Sequence, residues 1–324
     1  MRVKLDENRD DLLAYVAELY YDLKWNQEDI AKEVGVTRSM VSRMLSEARE
    51  KKFVEITVHR PLSLDIELMD RFKSLFDIED VQIVHQSFPN DLRQRERVGW
   101  AAASLAEKLL APHTVLGLVW GTTVACFVNR LVRSNLKHLE IDVVQLVGAI
   151  ASRDFAYSGL ELVRAAAHAL GGHPYYLNSP FYLENSEMVA NLLKNKIVDE
   201  TFQMMEKCRY AVVGIGSLAP ELASFYLSGD ISSEELAIIR KTGAIGSVCG
   251  LHFDIRGEQV AQFCSERTVT IQRTQLDQIP VRVGMACGVG KTEPILGALR
   301  GKFVTHLVTD SITARQVLEL AYKS

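Results

Sequence analysis

Apolar residues recur at helical spacing three times in the first fifty positions of the chain. Leu12, Leu13, Val16, Leu19, Tyr20 and Leu23 form one stripe over residues 9–23, Ile30, Ala31 and Val34 a second, and Val41, Met44 and Leu45 a third. Gly35 interrupts the pattern where the second and third stripes meet, which predicts a helix-turn-helix braced by the first helix. In that arrangement Ala31 keeps the first helix of the pair thin where the second crosses it. Gly35 supplies the positive φ of the turn, Val36 and Val41 pack beneath, and Thr37 caps the second helix. Residues 53–59 then alternate Phe53, Glu55, Thr57 and His59 with Val54, Ile56 and Val58, as a half-buried strand does, so a winged form is expected, with Lys51 and Lys52 at the turn before the wing. Pro61 closes this unit. Residues 64–76 carry an apolar stripe of Ile66, Leu68, Met69, Phe72, Leu75 and Phe76 and read as a linker or dimerisation helix.

From there the pattern changes to short apolar runs at 81–85, 115–119, 141–147, 211–215, 281–287 and 303–309, interleaved with helical stretches at 92–110, 122–133, 158–170, 186–207 and 293–299. Apolar strands alternating with helices predict a parallel sheet covered on both faces. The expected fold class is therefore α/β: a small winged helix-turn-helix domain over 1–60, a linker or dimerisation helix over 61–80, and a large doubly wound domain over 81–324.

Charge changes the picture locally. The 324 residues carry a net charge of −4, so nucleic-acid binding has to come from a patch. From Thr37 to Arg60, Arg38, Arg43, Arg49, Lys51, Lys52 and Arg60 outnumber Glu47, Glu50 and Glu55. Once the apolar positions of the motif are packed, Thr37, Arg38, Ser39, Ser42 and Arg43 remain to face base edges and phosphates, and Gln27 at the start of the preceding helix is placed for a phosphate contact. The five cysteines lack metal-ligand spacing and sit mostly in apolar segments, which predicts reduced, buried thiols, no metal and no cofactor. The polar start MRVKLDENRD does not read as a secretory signal and no long apolar run follows, so a cytoplasmic protein with no membrane partner is expected.

In doubly wound sheets ligands collect at the carboxyl ends of strands. VLGLVWGTT runs from a strand into Gly121, Thr122 and Thr123 at a helix start, where free N–H groups, hydroxyls and the helix dipole suit a phosphate. VGMACGVGK ends a second strand in Gly288, Gly290 and Lys291, a counter-charge for the same group, although the spacing is not that of a nucleotide P-loop. GIGS at 214–217 and the loop from Gly148 to Asp154 are further candidates.

The order helix-turn-helix, VWGTTV, QLVGAI, VVGIGSL, GAIGSVCGLHFDIRG and ACGVGKTEPILGALRG followed by VTD resembles the SorC/DeoR-type sugar-binding transcriptional regulators over essentially the whole chain. The resemblance implies an effector domain similar to glucosamine-6-phosphate deaminase and ribose-5-phosphate isomerase. It implies a phosphorylated sugar or polyol as effector, operator DNA as partner, and a homo-oligomer, dimer or tetramer. Position by position, it places Gly121, Thr122, Thr123 and Lys291 at the phosphate, Gly148 along the ligand, and Asp254 in a recurring FD-x-x-G turn. Three residues depart from the pattern. Val119 replaces a frequent serine, Ser247 a frequent acid, and Val147 offers no amine for a Schiff base. The function expected is a repressor of a carbohydrate-utilisation operon, and not an enzyme. The alternative is a sugar-phosphate isomerase or deaminase carrying a DNA-binding domain, for which His252, His168 and His173 are the candidate histidines.

Overall fold

Residues 9–54, 62–85, 91–150 and 158–323 are described in the computed structural model. The chain divides into two compact units, residues 1–61 and 62–324. In the first, α1 (Arg9–Tyr21), α2 (Gln27–Val34) and α3 (Arg38–Glu50) follow the three apolar stripes. Leu13, Val16, Ile30, Val41, Leu45 and Ala48 form their common core. Asn26 caps α2 by accepting from the Glu28 and Asp29 amides at 3.0 and 2.9 Å. Gly35 ends it with φ 70°, donating its N–H to the Ala31 carbonyl, and Thr37 caps α3 through the Met40 amide at 3.3 Å. The expected wing falls largely on residues 55–61, which, like Asp154, lie outside the described residues. Lys51, placed by its sequence beside that wing, is held by Asp10 at 2.5 Å and by Glu47 at 3.6 Å.

The second unit is built on β1 (Asp80–Val84), β2 (Val115–Leu118), β3 (Ile141–Gln145), β4 (Gly171–Tyr175), β5 (Cys208–Ser217), β6 (Gly246–Val248), β7 (Leu251–Phe253), β8 (Val281–Met285) and β9 (His306–Asp310). Seven of them pair in the order β1-β9-β8-β5-β2-β3-β4. Every pairing along this path is parallel. The antiparallel hairpin β6–β7 extends the carboxyl end of β5, with Ile215 opposite Val248 and Ser217 opposite Gly246. β2 and β9 are buried at every position, as strands covered on both faces must be. β1 and β9 run side by side over five registered pairs, from Asp80↔His306 to Val84↔Asp310. At the opposite end of the strands the buried Arg282 guanidinium donates to the carbonyls of Phe303, Asp277, Ile279 and Lys302, which compensates for taking its charge out of water.

Two expectations are corrected. Helix α4 (Ile66–Leu75), read as a linker or dimerisation helix, is not a free linker, because Leu68, Met69 and Phe72 are buried in the second unit's core. The stretch 186–207 is two helices, Ser186–Leu193 and Lys196–Met205, since the Asn195 side chain accepts from the Ile197 amide and starts a new cap. Two more helices bear on the ligand site. These are α5 (Asp91–Leu109) and α6 (Thr122–Leu131), which pack so closely that a Cβ on Gly99 would stand 2.6 Å from Cys126 Cβ. Cys208, Cys249 and Cys264 are buried and Cys126 and Cys287 half-buried, all five free, and burial pushes each thiol up to about 11 or 12.

A side chain at Gly35 would meet nothing within 4 Å, so substitution there is limited by backbone conformation alone. Gly35→Ala is expected to destabilise the first unit by about 1–2 kcal/mol, and Gly35→Asn by less, because Asn tolerates the left-handed region. Hydrogen exchange of the α2 and α3 amides checks this. Equal protection in all three proteins would contradict the assigned turn.

Candidate functional site

The chain leaves β2 toward β3 on one side of the sheet and leaves β5 toward β8 on the other, so a crevice opens between β2 and β5 at their carboxyl ends. A cavity of about 690 Å³ lies there, lined by residues 119–124 after β2, 214–217 of β5, 285–291 at the end of β8, and Asp310 of β9. That volume is ordinary for a small-molecule site.

Gly121, Thr122 and Thr123 line the cavity. Gly121 has φ 143° and ψ 156°, a conformation suited to glycine, and no side chain caps the helix that follows. The first N–H groups of α6 therefore have no partner within their own helix, and they meet the cavity at the positive end of its dipole. Across from them Lys291 follows the left-handed Gly288, and its Nζ donates to the Ile215 carbonyl at 3.1 Å. Burial lowers the lysine to about 8, and the nearby Arg95 cation pushes in the same direction. Its remaining two protons are available to an anion. Asp310 is buried and fully engaged, accepting from the Gly288, Ile312 and Thr313 amides and the Thr313 hydroxyl. The other wall is aromatic and neutral. Trp120 stands edge-on to Phe181 with ring centres 5.7 Å apart, and Ser247 adds a hydroxyl where an acid would bind sugar hydroxyls.

Gly148 and Asp254, placed by resemblance at the ligand, are not among the lining residues. Gly148 lies behind the wall. A Cβ there would come within 2.5 Å of the Pro180 carbonyl oxygen, and the Gly148 carbonyl accepts the Trp120 indole N–H at 3.0 Å, so this glycine orients the ring. Asp254 turns its carboxylate back on its own loop, accepting from the Arg256 and Glu258 amides at 2.9 and 3.0 Å. That turn brings Gly257, at φ 82°, against Gly301 with no room for a side chain. The histidines of the alternative reading lie elsewhere. His252 is buried edge-on to Phe225 and held down to about 4 by burial, while His168 and His173 are exposed.

Sequence reasoning missed Gln94 and Arg95 of α5, which also line the cavity. They sit in the run Arg93 to Arg97, which by itself reads as a solvated helix face. Asp310 was visible only as the end of the VTD motif. In the first unit Arg38, Ser39, Ser42 and Arg43 are exposed along α3, Gln27 is half-buried, and the Thr37 hydroxyl is occupied by its cap. Met40, 47% exposed in the same first turns, is an apolar member of this face that the polar pattern hid. Among the described residues no helix is long and apolar enough to cross a membrane, and no cluster of His, Cys, Asp or Glu has a metal-binding arrangement.

Residues 60–319 match the family model Sugar-bind, a sugar-binding domain. The sorbitol operon regulator of Klebsiella pneumoniae is 28% identical over 319 residues, spanning 97% of this chain and 100% of that protein. The deoxyribonucleoside regulator of Bacillus subtilis is 27% identical over 315 residues, 97% of this chain and 99% of its own. The crystal structure of the full-length sorbitol operon regulator SorC from K. pneumoniae superposes with a TM-score of 0.74 at 26% identity, covering 97% of this chain and all of the other. This chain belongs to the sugar-binding domain family, among the SorC/DeoR-type transcriptional regulators.

Proposed function

We propose that the protein is a cytoplasmic, homo-oligomeric repressor of a carbohydrate-utilisation operon, released from or retained on operator DNA according to a phosphorylated sugar or polyol bound in the second unit. The observation that carries this reading is the convergence of the uncapped start of α6 and the Lys291 ammonium on one cavity. Backbone N–H groups, hydroxyls and a cation are the donors a phosphate takes, and the aromatic wall suits the carbon face of a sugar ring. The placement of that cavity at the switch point of the sheet supports the likeness to glucosamine-6-phosphate deaminase and ribose-5-phosphate isomerase, used here for binding.

The first unit supplies the DNA-reading part. Its short α2–Gly35–α3 turn supports the helix-turn-helix reading, with α3 in the major groove. Arg38 and Arg43 are exposed and form no ion pair among the described residues, which leaves both for guanine edges or phosphates, and Met40 is placed for a thymine methyl. Effector and operator are coupled if the ligand binds unequally to oligomer arrangements that do and do not match the half-site spacing. The relatives named above are regulators, which favours this reading over an isomerase or deaminase.

Four outcomes are expected. In a thermal-shift screen of sugars, polyols and their phosphates, stabilisation should be confined to phosphorylated compounds. Thr122→Val or Lys291→Gln should weaken those compounds roughly tenfold and spare unphosphorylated analogues; equal losses for both classes would remove the phosphate assignment. Affinity should also fall as pH rises from 7 to 9. Lys291, protonated below about 8 in the free site, loses its charge over that interval while the ligand's phosphate stays dianionic, so a flat profile would speak against Lys291 as the counter-charge. Finally, Arg43→Ala should cost about 1–3 kcal/mol of operator binding with effector affinity unchanged, and wild-type operator affinity would exclude the proposed recognition face.

A further inference from the structure

Gln94 and Arg95 reach the cavity from α5, an element outside the strand-end loops that ordinarily build such a site. Gln94 is 5% exposed, yet its Nε2 has no hydrogen-bond partner among the described residues. A buried amide left unpaired is costly, and its persistence needs a reason other than stability. Arg95 is half-buried and makes no hydrogen bond or ion pair among the described residues. It lines the same cavity as Lys291, whose ammonium it disfavours by its charge. Two acids line the cavity with these cations. Asp310 has spent its oxygens on the Gly288 turn and the helix after β9, and the other acid of the lining, Glu221, is exposed.

We propose that Gln94 and Arg95 form the second wall of the anion subsite, so that the site selects a dianionic phosphate monoester held between Lys291 and Arg95, with Gln94 Nε2 donating to one of its oxygens. This rests on the reading of residues 121–123 as a phosphate loop. The class follows from charge. A carboxylate or phosphodiester would leave one of two neighbouring cations uncompensated at the sheet edge, whereas a monoester neutralises both. A neutral sugar leaves both uncompensated. Gln94, as a neutral donor, adds direction without adding charge.

The test is titration calorimetry of inorganic phosphate into the full-length protein and its Lys291→Gln, Arg95→Gln, Arg95→Lys and Gln94→Met variants, with the melting temperature of each unliganded protein as a control. Lys291→Gln and Arg95→Gln should each weaken phosphate roughly tenfold, and Arg95→Lys should recover part of the loss. Gln94→Met keeps the side-chain volume and removes the unpaired donor, so it should weaken phosphate while raising the melting temperature. If Gln94 served only the fold, that variant would melt lower and bind phosphate as before. Unchanged binding in Arg95→Gln and Gln94→Met beside a weakened Lys291→Gln would overturn the second wall and leave the phosphate loop standing. Unchanged binding in Lys291→Gln as well, or no binding by the wild-type protein, would remove both.

Discussion

The turn that carries Lys291 is fixed by the Asp310 carboxylate, and the geometry of the cavity depends on that buried acid. One oxygen accepts the Gly288 amide at 2.9 Å and the Thr313 hydroxyl at 2.6 Å, and the other accepts the amides of Ile312 and Thr313. Four donors compensate a charge that would otherwise be prohibitive in the interior. The same bonds join three pieces of chain, the end of β9, the start of the last helix and the glycine turn after β8, into one floor. A rigid floor matters because a lysine on a glycine-rich turn otherwise loses entropy on meeting its ligand.

Around that floor the charges are distributed asymmetrically. The positive end of α6, Lys291 and Arg95 line the cavity together with the neutral Trp120, Phe181 and Ser247, and in the proposed site the cations gather at one end. In a site partly shielded from water such a separation orients a ligand that is anionic at one end and weakly polar at the other. Gly148, outside the cavity lining, holds the indole through its carbonyl.

Much of this was legible in the chain. Each of the six apolar runs assigned to strands in the second unit became one, because β-branched residues buried on both faces leave an unbroken signature, and Gly35 and Thr37 make the turn and the cap expected of them. What escaped had no local signal. β4 reads GGHPY, a sheet edge made of residues that propensity excludes, and its pairing comes from β3, where the Asp142 carboxylate accepts the His173 amide at 2.8 Å. The break at Asn195 hides in a continuous apolar periodicity. Asp254 was placed by resemblance alone, in an FD-x-x-G turn, and its partner amides, those of Arg256 and Glu258, have no signature in the sequence. Gln94 and Arg95 look like two members of a charged helix until the fold brings that helix over the strand ends.

The parallel pairing of β1 with β9 has a mechanical consequence. β9 ends in Asp310, the anchor of the cavity floor, and β1 is the first strand of the second unit, reached from residue 62 through α4. The cavity floor and the first strand of the second unit thus lie one hydrogen-bonded ladder apart, although most of that unit's length separates them in sequence. A shift of the floor of the kind a bound anion imposes would have only a single rank of backbone bonds to cross before it reached the strand with which the second unit's sheet begins.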